Sequence, residues 1–174
     1  MRRCVAVLAA LVLPLISACF YSQEELIGFW GADRALAPGL YTHTPYDPQG
    51  QEWDRPTWRG EIAYEGRRYV SEVADFPHQN ARLKRLDGDI YIAQWPRRDG
   101  IGYGILFLYG DMATYHQPDC SALPSAVREE TGITLGEEGF CEIADLDQLE
   151  AVIRSYLVQR EGDLRIDGIY RRVR

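Results

Sequence analysis

The sequence has few histidines and none of the short motifs that usually mark a catalytic site. It holds only three histidines, His43, His78 and His116, and they lie in separate segments. No H-E-x-x-H, G-x-S-x-G or Walker-type phosphate loop occurs. The glycine run at 100–104 is not a dinucleotide fingerprint, because Ile105 stands where the third glycine belongs. We therefore expect no catalytic residue, no metal ligands and no cofactor.

Basic charge and long apolar segments are also scarce. The chain carries 19 basic against 26 acidic residues. Nucleic acid and anionic lipid headgroups repel an acidic protein, so we expect no nucleic-acid partner. The apolar stretch at 5–16 is interrupted by Pro14 and is shorter than the roughly 20 residues that a membrane-spanning helix needs.

The first 19 residues have the layout of an export signal. Arg2 and Arg3 precede the apolar stretch, and the small residues Ser17 and Ala18 follow it. The run Ile16-Ser17-Ala18-Cys19 resembles the lipobox of bacterial lipoproteins. The alternative is an ordinary signal peptide in which the cysteine is incidental.

The lipobox resemblance implies that residues 1–18 are removed and that Cys19 is acylated. Residues 19–174 then form one lipid-anchored periplasmic domain, in which 19–27 serve as the tether. Several acyl chains anchor a protein stably, whereas one chain binds only marginally. Phe20, rather than Asp, after the cysteine favours the outer membrane, with the domain facing the periplasm.

The cysteines of the remaining chain predict one structural disulfide. Removal of residues 1–18 leaves 156 residues with 17 basic and 26 acidic side chains, a net charge of −9. Cys120 and Cys141 are then the two thiols beside Cys19, and exported thiols usually pair. A disulfide that closes a loop of about 20 residues stabilises the fold by roughly 3 kcal/mol.

The body of the chain predicts a mainly β fold of the α+β class. Turn pairs such as Asp87-Gly88 recur about every ten residues, so we expect an antiparallel meander sheet or a small barrel. A short helix at Pro124–Thr131 and a longer C-terminal helix are predicted. Asp145 and Gln148 form the capping box of the longer helix. The predicted strands are Ile62–Tyr64, Tyr69–Val73, Ala81–Leu86, Ile90–Trp95, Ile101–Tyr109, Met112–His116 and Leu164–Val173.

Three features have two interpretations each. Residues 33–60 lack clear periodicity and are predicted to be one long loop, functional or mobile. Gly102 and Gly104 share a strand face, which indicates either sharp curvature or close packing by another element. The tryptophans line a ligand cavity or a glycan-stacking surface, or else they fill the core; these candidate binding residues are Trp30, Trp53, Trp58 and Trp95.

Two family resemblances add expectations. The run Gly28-Phe29-Trp30 resembles the Gly-x-Trp that opens the first strand of lipocalins and related small barrels, including periplasmic metalloprotease inhibitors. It implies that Trp30 plugs one barrel end beneath Arg171 or Arg172. A strand follows the long helix here, unlike in lipocalins, so their ligand pocket does not carry over.

A broader resemblance covers residues 61–160. The segments YIAQW, GYGILFLYGD, YHQPDC and FCEIADLDQL resemble small proteobacterial envelope lipoproteins of unassigned function. The resemblance implies the disulfide and the order strands, Cys, helix, Cys, helix. It implies no activity.

These features lead to three functional hypotheses. The first is a lipid-anchored envelope protein with a binding or scaffolding role, whose partner is an envelope protein or a small ligand. The alternative is a lipocalin-like barrel that binds a small ligand or a protease, which an apolar pocket reached from residues 33–60 would favour. The third is a periplasmic hydrolase, which requires a histidine beside a serine or a carboxylate.

Overall fold

A computed structural model describes residues 20–54, 57–136 and 139–174. Cys19 and the predicted signal segment lie outside these residues. The described chain is mainly β, with ten strands in one mixed sheet and two α-helices. The strands are β1 (Phe20–Ser22), β2 (Gly39–Pro45), β3 (Trp58–Glu65), β4 (Arg68–Ser71), β5 (Arg82–Asp87), β6 (Ile90–Arg97), β7 (Gly100–Tyr109), β8 (Met112–His116), β9 (Cys141–Glu142) and β10 (Gly168–Arg172); the helices are α1 (Ser125–Thr131) and α2 (Leu146–Arg160).

Eight antiparallel strands follow one another in the order β4-β3-β2-β10-β8-β7-β6-β5. One edge of β7 pairs with β6. The opposite edge pairs with two strands, because β8 pairs with the C-terminal half of β7 and β1 pairs with its N-terminal half. β1 pairs in parallel with β9, which makes the sheet mixed. The outer strands approach at one bridge, where the Tyr69 amide donates to the Ala81 carbonyl over 2.8 Å, but the sheet is not closed. The predicted antiparallel architecture is confirmed.

The sheet separates two apolar cores. Alternation along β7 places Ile101, Tyr103 and Ile105 against the buried face of α2, whereas Leu106 faces the inside of the curl. All eight antiparallel strands contribute to the inner core, which shows how strongly the sheet curls. Its main members are Tyr41, Ile62, Tyr69, Phe76, Leu83, Tyr91, Trp95, Leu106, Tyr115 and Tyr170.

The helix predictions are confirmed. The Asp145 carboxylate accepts from the Gln148 amide over 2.8 Å, and the Gln148 side chain accepts from the Ala144 amide over 2.7 Å. The reciprocal capping pair therefore forms, one residue earlier than in the usual box. α1 ends at Gly132, whose φ of 68° is a left-handed conformation that suits glycine.

The predicted disulfide joins Cys120 and Cys141, with their Cα atoms 5.9 Å apart. It ties the turn after β8 to β9, and α1 lies between the two cysteines. The chain order of strands, Cys, helix, Cys and helix is therefore as expected.

The structure corrects two segment predictions. Residues 33–60 are not one loop, because they contain β2 and the start of β3. β2 does alternate, with Tyr41 and His43 buried, but its inward face is partly polar and a proline ends it. Residues 20–27 of the predicted tether are also structured: β1 is a sheet strand, and the Ile27 amide donates to the Gln94 side chain over 2.7 Å.

The glycines of β7 permit close packing by large rings. A Cβ on Gly104 would lie 2.4 Å from Tyr115 Cε2, and a Cβ on Gly102 would lie 3.0 Å from the Trp95 indole. Neither glycine has the positive φ that would require glycine for conformational reasons. The close-packing interpretation is therefore confirmed.

We expect Gly104→Ala to destabilise the fold by about 1–3 kcal/mol, because the added methyl displaces the buried Tyr115 ring. The matched control is Gly28→Ala, since a Cβ there meets no atom within 4 Å. The control should change stability by less than about 0.5 kcal/mol. Urea unfolding of both variants checks this, and equal effects would contradict the packing argument.

Candidate functional site

The inner core contains a group of polar aromatic rings, which we call the histidine pocket. Its members are His43 of β2, Trp58 of β3, His78, Trp95 of β6, Tyr115 of β8 and Tyr170 of β10. The His43 ring centroid lies 4.5 Å from that of Tyr170 and 6.2 Å from that of His78. His78 in turn lies 4.2 Å from Tyr115 and 4.6 Å from Trp95.

His43 is the unusual member of this pocket. The residue is 4% exposed, and neither ring nitrogen has a hydrogen-bond partner among the described residues. A neutral imidazole offers one donor and one acceptor, and each buried group left unbonded costs about 1–3 kcal/mol. Burial lowers the pKa of His43 to about 4, so the ring is neutral at pH 7.

The backbone of β10 lies directly against His43. A Cβ on Gly168 would lie 2.4 Å from His43 Nε2. Only glycine therefore leaves room for the imidazole where β10 pairs with β2.

His78 reaches the pocket from the segment between β4 and β5, residues 72–81. Its backbone is left-handed, with φ of 56°, and its Nδ1 lies 2.5 Å from the Tyr170 hydroxyl. A left-handed residue costs roughly 1–2 kcal/mol, so the ring contacts must hold it in place. Burial, and secondarily the charge of nearby His43, lowers the pKa of His78 to about 3. Burial also raises the pKa of Tyr170.

Gln79 fastens the 72–81 segment to the end of β4. Its side chain accepts from the Ser71 amide over 3.1 Å and donates to the carbonyls of Ser71 and Val73 over 3.0 and 2.7 Å. These three bonds fix the segment beside the pocket.

A small cavity of about 50 Å³ lies between the 72–81 segment and the sheet. Its walls are mostly apolar, and the polar rings of His78 and Tyr170 border it; Leu36, from the segment predicted as a loop, contributes too. Ligand pockets for drug-sized molecules have roughly 300–1,000 Å³. This cavity therefore suits a ligand of a few heavy atoms or a few water molecules.

The four candidate tryptophans do not lie together in the structure. Trp58 and Trp95 lie in the histidine pocket, with Trp58 5.7 Å from His43. Trp53 lies in the loop after β2 and is half-exposed, and its amide donates to the Pro45 carbonyl. Trp30 is 85% exposed.

Trp30 does not plug a barrel end, so the expectation from the Gly-x-Trp resemblance is wrong. The residues Gly28 to Gly31 form a turn closed by a 3.2 Å hydrogen bond, which points the chain away from the core. The guanidinium over Trp30 belongs to Arg67, at 5.5 Å. Arg171 bonds instead to Met112, and Arg172 to the Pro38 carbonyl.

His116 is the histidine with an aliphatic hydroxyl beside it. Its Nε2 lies 2.8 Å from Thr114 Oγ1, and its Nδ1 lies 2.8 Å from the Arg165 carbonyl. Burial lowers the pKa of His116, against the opposite influence of that carbonyl and of Asp167. Both side chains are buried, so a substrate could reach the hydroxyl only if the core opened.

A wider groove of about 560 Å³ lies between the loop after β2 and the end of α2. Both of its arginines are already engaged. Arg165 Nε donates to Asp167 over 2.8 Å, and the Arg160 guanidinium lies 5.3 Å from the Tyr156 ring. The groove therefore has the character of a solvated surface, and the distinctive chemistry is in the histidine pocket.

Comparison with known protein families, curated proteins and solved structures finds no match for this chain. In the part of the chain that the structure describes, no three His, Cys, Asp or Glu side chains are grouped as metal ligands would be. Neither described helix is both long enough and apolar enough to cross a bilayer.

Proposed function

We propose that this chain is a lipid-anchored binding protein of the cell envelope. Acylated Cys19 holds it at the outer membrane, and the cavity beside the histidine pocket takes a small uncharged ligand. The observation that supports the binding role is His43, a buried imidazole whose nitrogens are both unbonded, packed against two residues that border a cavity. Buried polar groups are nearly always hydrogen-bonded, so such an exception needs a physical reason.

The pocket chemistry indicates the class of ligand. Both histidines are neutral at pH 7, and most of the wall is apolar, so a charged ligand would lose its hydration without compensation. His43 does not line the cavity itself but packs behind His78 and Tyr170, which do; a hydroxyl or an amide that enters between those two rings meets one nitrogen that donates and one that accepts. A ligand of four heavy atoms gains at most about 6 kcal/mol, which corresponds to a dissociation constant near 10⁻⁴ M.

We expect acetamide or isopropanol to bind the wild-type chain at millimolar or lower concentration, and His43→Leu to abolish this binding. Leucine is close to histidine in volume and removes both polar nitrogens. The variant should also gain about 1–3 kcal/mol of stability, because the unbonded groups are gone. Histidine side-chain NMR during titration measures the binding, and urea unfolding measures the stability.

Val158→Ala is the control for this titration, because the side chain is exposed on α2 outside the pocket. It should bind the probes as the wild type does. Probe-induced shifts that persist in His43→Leu, or that never saturate in the wild type, would contradict the proposed binding site.

We expect the wild-type chain, expressed in a Gram-negative host, to be found triacylated in the membrane fraction. Cys19→Ala removes the sulfur that carries the diacylglyceryl group, so its precursor should stay uncleaved and unacylated. Intact mass spectrometry of both proteins, with membrane fractionation, checks this. An unmodified, soluble wild-type product would show instead that the N-terminus is an ordinary signal and that the protein is a diffusible binder.

A second candidate role is scaffolding through an exposed aromatic turn. The Phe29 and Trp30 rings pack edge-to-face at 5.1 Å, and the Arg67 guanidinium lies over both of them. Tryptophan and arginine are the residue types that dominate protein-interface energetics. This turn supports the scaffolding alternative, and it is separate from the histidine pocket.

A further inference from the structure

The described chain is folded from its first residue, which follows Cys19. Phe20 is 0% exposed and belongs to the core that packs against α2. It pairs with Tyr103 of β7 on one side and with Cys141 of β9 on the other. Phe20 is therefore part of the rigid body of the domain.

Hydrogen bonds on both edges hold β1 in place. The Ile143 amide donates to the Tyr21 carbonyl over 2.8 Å, and the Ser22 hydroxyl lies 2.6 Å from the Tyr103 hydroxyl. Cys141, the neighbour of Phe20, is itself fixed to Cys120 by the disulfide. β1 is thus clamped between a central strand and a covalently fastened one.

We propose that the domain is mounted rigidly on the bilayer surface, and that its membrane-docking surface is the region where the chain enters β1. This inference rests on the proposed acylation of Cys19. Consecutive Cα atoms are about 3.8 Å apart, so the Cα of the lipid-bearing cysteine lies that far from the Cα of Phe20 in the folded body. A flexible tether of 20 residues would instead allow a separation of about 25 Å.

Rigid mounting limits where the domain can act. A domain of 156 residues has a radius of gyration of about 15 Å, so its far side lies roughly 40 Å from its attachment point. Without a tether, both the histidine pocket and the Trp30 turn stay within that distance of the bilayer. The ligand or partner must therefore be met at the membrane surface.

The test uses the full acylated chain in vesicles of phosphatidylethanolamine and phosphatidylglycerol that contain a headgroup-labelled quencher lipid. The mature chain has no free thiol if Cys19 is acylated and the disulfide is formed, so one introduced cysteine carries one fluorophore. Three exposed sites suit this: Gln23, three residues after Phe20; Asp89, at the turn between β5 and β6; and Val158, on α2. The matched variant carries ten Gly/Ser residues between Cys19 and Phe20.

We expect quenching to be strongest at Gln23 and to differ at least threefold among the three sites, because a fixed orientation holds each site at its own height. The inserted linker should reduce quenching at Gln23 and bring the three sites within about a factor of 1.5. Equal quenching at all sites in the unmodified chain, or no effect of the linker, would overturn the rigid mount.

Intact mass separates this result from a failure of the proposed function. A triacylated chain with site-independent quenching retains the lipid anchor and refutes only the fixed orientation. A chain without acyl groups refutes the anchor and, with it, the mount.

Discussion

Lowering the pH from 7 to 4 should reduce the free energy of unfolding by several kcal/mol, because buried histidines resist protonation in the folded state; His43 and His78 dominate, and burial of His116 acts in the same direction. The pKa values of His43 and His78 are lowered to about 4 and about 3, chiefly by burial. The unfolded chain protonates the same groups near pH 6.5. Their contribution to stability is therefore complete above about pH 6.5 and is lost as the pH falls toward 4.

Each histidine should contribute a slope of about 1.4 kcal/mol per pH unit within this window. His43 alone accounts for roughly 3 kcal/mol between pH 6.5 and 4. Asp167 acts in the opposite direction, because burial raises its pKa and the folded state takes up that proton first. Proton uptake by Asp167 therefore reduces the slope toward the acidic end of this window.

Urea unfolding at half-unit steps of pH measures this slope, and His43→Leu is the informative variant. It removes one of the three rings whose pKa burial lowers, so its slope should fall by about 1.4 kcal/mol per pH unit. Gly28→Ala, which leaves the histidines in place, should keep the wild-type slope. A wild-type stability that stays flat from pH 6.5 to 4.5 would refute the burial of neutral histidines in the pocket.

The elements whose signals are local could be predicted from the sequence. The hairpin turn predicted at Asp87-Gly88 forms one residue later, at Gly88-Asp89 between β5 and β6. The capping of α2 by Asp145 and Gln148 depends on residues three apart. Turn and cap preferences act within a few residues, so tertiary structure rarely overrides them. The disulfide could be predicted from the expected export of the chain to an oxidising compartment and from the two cysteines that remain beside Cys19.

The histidine pocket depends on pairings that no local pattern reveals. β10 pairs between β2 and β8, and this brings Tyr170 beside His43, more than 100 residues away along the chain. His78 lies in a non-strand segment, and only the completed inner core holds its ring in place. The preference of a residue for a β-strand depends on its neighbours across the sheet. The sequence therefore predicts a loop where the short, partly polar β2 forms.

Removal of the disulfide should cost about 3 kcal/mol, because the Cys120–Cys141 loop then regains its freedom in the unfolded chain. The double variant Cys120→Ala/Cys141→Ala is preferred to serine, since both positions are fully buried and a hydroxyl there would be left without water. Urea unfolding of this variant, and of the reduced wild type, measures the loss. A loss below about 1 kcal/mol in both would contradict a stabilising role.

Hydrogen exchange then shows whether the disulfide stabilises the whole domain or only the clamp on β1. If it acts through the entropy of the unfolded chain, the Ile92 amide at the centre of β6 should exchange on the order of 10² times faster in the variant. If it acts locally, the Ile143 amide, which bonds to Tyr21, should accelerate while Ile92 does not. We expect the first pattern with an additional acceleration at Ile143, because β9 has only two paired residues and loses its covalent fastening. The disulfide would then stabilise the fold and also hold β1, the strand that follows the proposed lipid anchor.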